Sequence, residues 1–313
     1  AVEEELLHEF SNQYFKQRMV KMTKKLYSAL LTSFNADGTV NEKGTREIVR
    51  HNIDVNHVDG LYVGGSTGEN FMLQTATKKR IFEIVKDEAG DDVDLIAQVG
   101  SIDLQEAKEL ANYVVNDLGY KTISAVTPFY YNFSFPEIKY YYDEIVKDVD
   151  ANLIVYSIPA LTGVSLSLDN FAKLFENPKI IGVKYTNADF FLLERLRNRF
   201  PDKKILFGTD EMLLPALSLG VDGAIGSTYN VNAARAKAEI EAFEAGDMQK
   251  ALNIQHETND LISAILGNGL YQTIKLLLQD MGVEAGYTKE PMHKPTPEMK
   301  TTASEIYAKF LKN

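Results

Sequence analysis

The chain contains no cysteine among its 313 residues. It can therefore form no disulfide, no zinc–thiolate centre and no cysteine nucleophile, although the absence does not by itself fix a compartment. Histidine is scarce as well. His8, His51, His57, His256 and His293 show no metal-ligand spacing, and His51 and His57 lie six apart on an expected helix, so they do not stack on one face. No uninterrupted apolar stretch approaches a membrane span, and the acidic start of the chain is unlike a signal or transit peptide. Positive charge is in deficit too, with 33 Lys and Arg against 44 Asp and Glu, a net charge of −11. A surface of that sign argues against a nucleic-acid partner and against an anionic membrane. What these exclusions leave is an acidic, soluble, cytoplasmic enzyme acting on a small molecule. At 35.1 kDa and 45% hydrophobic residues it can bury a large core.

After residue 23, short apolar runs alternate with longer helical patterns, which predicts a parallel sheet with helical crossovers. The strand candidates are residues 26–31, 60–63, 95–99, 122–126, 153–156, 180–184, 205–207 and 223–225. Helix candidates follow at 43–55, 75–88, 103–116, 135–146, 168–175, 190–199, 211–219 and 232–244. Eight of each predict an α/β fold of the closed (β/α)8 TIM-barrel type, spanning residues 23–245. An open doubly wound sheet is the weaker alternative, because its G-x-G-x-x-G turn is missing. Residues 246–313 predict a C-terminal helical appendage, with helices at 248–266, 271–281 and 297–311. Residues 1–22 set Leu6, Leu7, Phe10, Tyr14 and Phe15 at helical spacing, with acids first and bases last as the helix macrodipole prefers. That segment is either a docked helix or a weakly ordered extension.

In such a barrel, chemistry gathers at the C-terminal ends of the strands. The sixth candidate, Ile180-Ile181-Gly182-Val183, ends in Lys184. A buried amine must find a partner or lose its proton, and an uncharged lysine is a nucleophile that forms Schiff bases with carbonyl compounds. The bland alternative is a lysine that snorkels into solvent. After the second strand, Gly64-Gly65-Ser66-Thr67-Gly68-Glu69 can hold a carboxylate or a phosphate on the Ser66 and Thr67 hydroxyls and exposed N–H groups, or be a turn with no ligand. Tyr130 and Tyr131 follow the fourth strand, and Tyr156 ends the fifth. Strand-end tyrosines usually pack, but Tyr156 beside Lys184 would be placed to pass protons to and from a lysine adduct. Gly208-Thr209-Asp210-Glu211 and Gly226-Ser227-Thr228-Tyr229-Asn230 complete the rim, offering two acids and several hydroxyls to a polyhydroxylated substrate. Asp210 could equally cap a helix.

These residues resemble the dihydrodipicolinate synthase and N-acetylneuraminate lyase family of pyruvate-dependent class I aldolases. Five blocks in order carry the resemblance: Gly64 to Glu69, Ala125 to Tyr131, Tyr156 to Gly163, Gly182-Val183-Lys184, and Gly223 to Asn230. It covers nearly everything from Leu26 to the C-terminus. Ser66 in the anion loop, Ala160-Leu161 where the synthase branch has an arginine, and the Asp210–Glu211 pair are similar to the sialic acid lyase branch. Ser33, in place of a frequent proline, and Tyr185, where some lyases have glutamine, depart from the pattern.

The resemblance implies reversible cleavage of N-acetylneuraminate to pyruvate and N-acetylmannosamine without an external cofactor. It implies catalytic roles for Lys184, Tyr156, Tyr130 and Ser66, with Tyr130 supplied by a neighbouring subunit, and therefore a homo-oligomer, a tetramer. Ser66 and Thr67 would hold the substrate carboxylate, while Thr186, Gly208, Asp210, Glu211 and Ser227 would line the sugar-tail pocket. The alternatives are another 2-keto acid aldolase on the same scaffold, or a non-catalytic binder of sialic acid or a keto acid.

Overall fold

The computed structural model describes residues 24–312, so the expected helix at residues 1–22 lies outside the described residues. Eight parallel strands close into a barrel in chain order. They are β1 (Lys25–Ala29), β2 (Gly60–Val63), β3 (Asp94–Gln98), β4 (Thr122–Val126), β5 (Asn152–Ser157), β6 (Ile180–Tyr185), β7 (Lys204–Phe207) and β8 (Gly223–Gly226). Pairing of Leu26 with Ala224 and of Tyr27 with Ile225 closes the ring. All eight coincide with the expected runs to within one or two residues, since a strand buried on both faces has to be apolar almost throughout.

The intervening helices are α1 (Glu42–Arg50), α2 (Thr75–Ala89), α3 (Leu104–Asn112), α4 (Phe135–Val146), α5 (Leu168–Leu174), α6 (Phe190–Arg199), α7 (Leu213–Ser218) and α8 (Tyr229–Glu244). Their starts are set by local chemistry. Ser134 and Glu137 form a reciprocal capping box on α4, and Ser167 and Asn170 do so on α5. The run expected as one helix over 211–219 is instead a 3₁₀ turn, Asp210–Met212, followed by α7. Met212 leaves helical geometry between them, so the two acids sit on a separate turn at the barrel mouth. The eighth helix begins at Tyr229 rather than Asn232, and Asn232 itself marks a kink.

Two cores result. The larger lies between strands and helices and includes Phe34, Phe82, Tyr142, Phe171 and Leu277. A smaller one fills the barrel interior with Tyr27, Ala29, Tyr62, Ile96, Val126, Ile154, Tyr156, Leu206 and Ile225. After the barrel come α9 (Met248–Asn268), α10 (Leu270–Asp280) and α11 (Pro297–Ile306). Gly269, at φ +98, lets α9 and α10 meet at a bend of 111°. The appendage is sewn back to the start of the barrel. The hydroxyl of Ser33 donates to the Glu284 carbonyl at 2.9 Å, and Phe34 bridges to Tyr287. Among the described residues, no single helix is long and apolar enough to cross a membrane.

Candidate active site

β6 delivers Lys184 to the barrel mouth as the penultimate residue of an apolar strand, in register with Tyr156 of β5 and Leu206 of β7. The side chain is 5% exposed. Its Nζ lies 3.9 Å from the centre of the Tyr156 ring and 4.2 Å from that of Tyr62, aromatic faces that surround the amine without giving it a carboxylate partner. Burial pushes the Lys184 amine down to about 7, with the Asp210 carboxylate opposing the shift. Near neutral pH a large fraction of this lysine is therefore an uncharged nucleophile. Its labelling by a small acylating reagent should be half-maximal near pH 7, against about 10.4 for an ordinary lysine. Peptide mass spectrometry across the titration reads this directly, and a midpoint near the ordinary value would exclude a primed amine.

Tyr156 is nearly buried, and its hydroxyl shares a hydrogen bond of 3.3 Å with Ser66 Oγ. Burial raises its pKa, partly offset by that bond, so the phenol keeps its proton. Ser66 and Thr67 sit on the glycine-rich turn after β2. Gly64 adopts φ +80, and a Cβ on Gly65 would come within 2.8 Å of the Tyr62 ring, so the tight turn needs both glycines. The turn is internally braced, with Glu69 N donating to the Ser66 carbonyl at 3.0 Å. Thr32 Oγ1 also donates to the Gly68 carbonyl at 3.1 Å.

An acidic, hydroxyl-rich wall follows β6, β7 and β8. Asp210 is 5% exposed. Its Oδ2 accepts from the Thr228 N–H at 3.0 Å and from the Thr228 hydroxyl at 2.5 Å. Oδ1 has no hydrogen-bond partner. Burial raises the carboxyl to about 6 despite the Thr228 bonds. Asp210 is thus not a helix N-cap: Thr209 holds that position, and the Asp210 side chain is committed across the rim to β8. Thr186 Oγ1 is likewise buried without a partner. Two glycines make room for these groups. A Cβ on Gly208 would fall 1.9 Å from Thr186 Oγ1, and one on Gly226 would fall 1.8 Å from Asp210 Oδ1.

Ser66, Thr67, Tyr156, Lys184, Thr186, Gly208, Asp210, Glu211 and Ser227 all line one cavity of about 480 Å³. An amine, a phenol, an anion-binding turn and a polar wall therefore share one chamber, which suits covalent chemistry on a small carbonyl acid with a hydroxylated tail. Tyr130 does not reach it. That residue is 83% exposed, sits at φ +75 and lines a separate groove of about 520 Å³ with Tyr131 and Phe133.

Sequence reasoning missed the ceiling of the chamber. Ile262 and Leu266 of α9, and Leu270 and Tyr271 of α10, come from the appendage to cover it. Burial, reinforced by Tyr156 and Glu69, pushes the Tyr271 phenol up to about 12. Support for the acidic turn was missed as well. Gln255 of α9 accepts from Leu214 N at 3.0 Å and donates to the Asp210 carbonyl at 3.3 Å, while Asn259 donates to the Glu211 carbonyl at 3.1 Å.

Comparison with known proteins places this geometry in context. Residues 22–309 match the dihydrodipicolinate synthetase family. A curated N-acetylneuraminate lyase of Lactiplantibacillus plantarum is 62% identical over 293 residues, covering 93% of this chain and all of that protein. A Clostridium difficile protein, CdNal, solved in complex with mannosamine, superposes with a TM-score of 0.90 at 64% identity, over 92% of this chain and 99% of that one. The N-acetylneuraminate lyase of Fusobacterium nucleatum, solved with pyruvate, gives a TM-score of 0.88 at 60% identity, over 94% of this chain and 99% of that one.

Proposed function

We propose, on the premise that the chain belongs to the dihydrodipicolinate synthetase family, that it is a Schiff-base-forming lyase cleaving N-acetylneuraminate reversibly to pyruvate and N-acetylmannosamine. The observation that carries the chemistry is the buried Lys184 amine, depressed to about 7, in register with Tyr156. The choice of sugar acid rests on the 62% identity to a sialic acid lyase over nearly the whole chain.

Lys184 attacks the keto carbon of the open-chain sugar acid, and loss of water gives an imine. The imine draws electrons from the bond between its α and β carbons, which breaks as the hydroxyl on the β carbon gives up its proton and becomes the aldehyde of N-acetylmannosamine. The remaining enamine takes up a proton, and water releases pyruvate and free Lys184. Tyr156, hydrogen-bonded to Ser66, is placed to relay these protons. Ser66 and Thr67 hold the carboxylate, fixing the reacting carbon beside the amine. Thr186, Gly208, Asp210, Glu211 and Ser227 receive the hydroxylated tail, for which the unpartnered oxygens of Asp210 and Thr186 provide hydrogen-bonding capacity. No cofactor is required by this sequence of steps.

Tyr130 belongs in this reading to the site of a neighbouring subunit in a homotetramer. What supports it is the exposed aromatic ridge of Tyr130 and Tyr131, 83% and 65% exposed. Native mass spectrometry at four chain masses is the expected result, and a monomer with full activity would remove the role. A cytoplasmic setting completes the reading.

Borohydride reduction followed by intact-mass analysis tests the reaction. Pyruvate and N-acetylneuraminate should each leave a pyruvate-sized adduct on Lys184, with N-acetylmannosamine released in the second case. An adduct from pyruvate alone would retain the aldolase and reassign its substrate, and none from either would favour a binding protein.

A further inference from the structure

The turn that carries Ser66 and Thr67 ends in a residue whose side chain points away from the chamber. Glu69 is held at φ +61, a conformation that glycine would adopt without strain. Its carboxylate is fully buried, 2.6 Å from the equally buried Nζ of Lys275 on α10. The other carboxylate oxygen accepts from the Lys289 N–H at 2.7 Å, and Lys275 also donates to the Tyr287 carbonyl at 2.7 Å. Burial lowers the Lys275 pKa while Glu69 holds it up.

A buried ion pair is a poor way to gain stability, since the desolvation of both charges consumes much of their attraction. What it does supply is direction. Lys275 stands one helical turn beyond Tyr271, which lines the chamber, so α10 carries the ceiling and the grip on the anion turn on neighbouring positions. At the other end, Glu69 N is bonded to the Ser66 carbonyl, and the Ser66 hydroxyl to Tyr156. A continuous chain of contacts thus runs from the appendage, through Lys275, Glu69 and Ser66, to the phenol beside Lys184.

We propose that Glu69 and Lys275 are positioning residues for the keto-acid half of the site. Their pair sets the height of the Ser66–Thr67 turn against Tyr156 and Tyr271, and so governs capture of the 2-keto acid carboxylate without touching it. The inference rests on the lyase reading above, and its test separates the two.

The experiment is pyruvate titration of borohydride trapping on the full chain, in wild type, Lys275→Met, Glu69→Gln and Lys275→Arg, with folding checked by circular dichroism. In Lys275→Met and Glu69→Gln the half-saturating pyruvate concentration should rise about tenfold or more, because a small displacement of the carboxylate cradle is amplified at the reacting carbon. The pH midpoint of Lys184 labelling should stay at its wild-type value, and KM for N-acetylmannosamine in the synthetic direction should change by less than about threefold. Lys275→Arg, which keeps the charge, should recover most of the pyruvate affinity. If Lys275→Met does not fold, Glu69→Gln, which keeps an acceptor for Lys289 N–H, carries the test. Folded variants that titrate as wild type, or that lose pyruvate and aldose affinity equally, would reduce the pair to a structural staple. Absence of an adduct in the wild type would instead overturn the lyase reading.

Discussion

Replacing Lys184 with alanine is expected to lower kcat on the order of 10⁴-fold or more, because in the proposed reaction the residue forms the covalent bond on which every later step depends. No other described lysine lines the chamber, so no neighbour can substitute. The check is a coupled pyruvate assay together with borohydride trapping: the variant should stay folded and show no adduct. Persistent turnover would mean that the amine is a binding group and that cleavage proceeds another way. A second consequence concerns stability. The folded amine titrates near 7, whereas an unfolded lysine titrates near about 10.4. Between those values the unfolded chain binds more protons than the folded one, so this residue makes the wild type gain stability as pH rises through that window. Below the window both forms are charged and the full burial cost, roughly 5 kcal/mol at most, is present. Lys184→Met, which fills the same space without the charge, should therefore melt above wild type at pH 7, with the gain shrinking as the pH approaches 10. Equal melting at both pH values would contradict a costly buried amine.

Gly226→Ala has the next largest expected effect. The added methyl would fall 1.8 Å from Asp210 Oδ1 and 2.4 Å from its Cγ, so one of the two must move. β8 is held in the closed barrel on both sides. Asp210 is pinned through Oδ2 to Thr228 and through its carbonyl to Gln255. On the proposed reading the displaced carboxylate no longer meets the sugar tail, and KM for N-acetylneuraminate should rise on the order of 10²-fold. Pyruvate trapping on Lys184 should change only severalfold, because the anion turn follows β2, which pairs with neither β7 nor β8. If the cause is Asp210, the double variant Gly226→Ala, Asp210→Ala should be no worse than Asp210→Ala alone. Additive losses would locate the damage elsewhere on β8. Steady-state kinetics on the three variants distinguishes these outcomes.

The barrel was legible because its strands leave no choice. A segment such as Ile180 to Val183, buried on both faces, is apolar throughout, and the polar residue that follows it marks the mouth. The nine expected residues that line the chamber lie at a strand end or within four residues after it, where that rule looks. Tyr271 and Gln255 were not, because they approach the mouth from helices after the barrel, and no strand-end rule addresses them. Lys275 did carry a usable signal. The stretch Ile274-Lys275-Leu276-Leu277-Leu278 encloses a single cation in an apolar run, just as the run before Lys184 does. What sequence could not provide was its partner, Glu69, 206 residues away. The break between Asp210–Met212 and α7 was missed for a related reason. The periodicity of residues 211–219 is helical, and the break depends in part on Thr228 and Gln255, which hold Asp210 from outside that run; Pro215, with no N–H to offer the Glu211 carbonyl, is the local signal for it.

The ceiling also bears on how the protein comes into being. A ribosome releases this chain from its N-terminal end, so strands β1 to β8 emerge before α10 exists. The ring can close on Leu26 and Ala224 while Tyr271 and Lys275 are still being made. A nascent chain that closed its ring at that point would have a complete cylinder, an exposed Lys184 amine and an anion turn without its anchor. A chain terminated shortly after Glu244 would hold every strand-end residue of the chamber and still lack the ceiling supplied by α9 and α10.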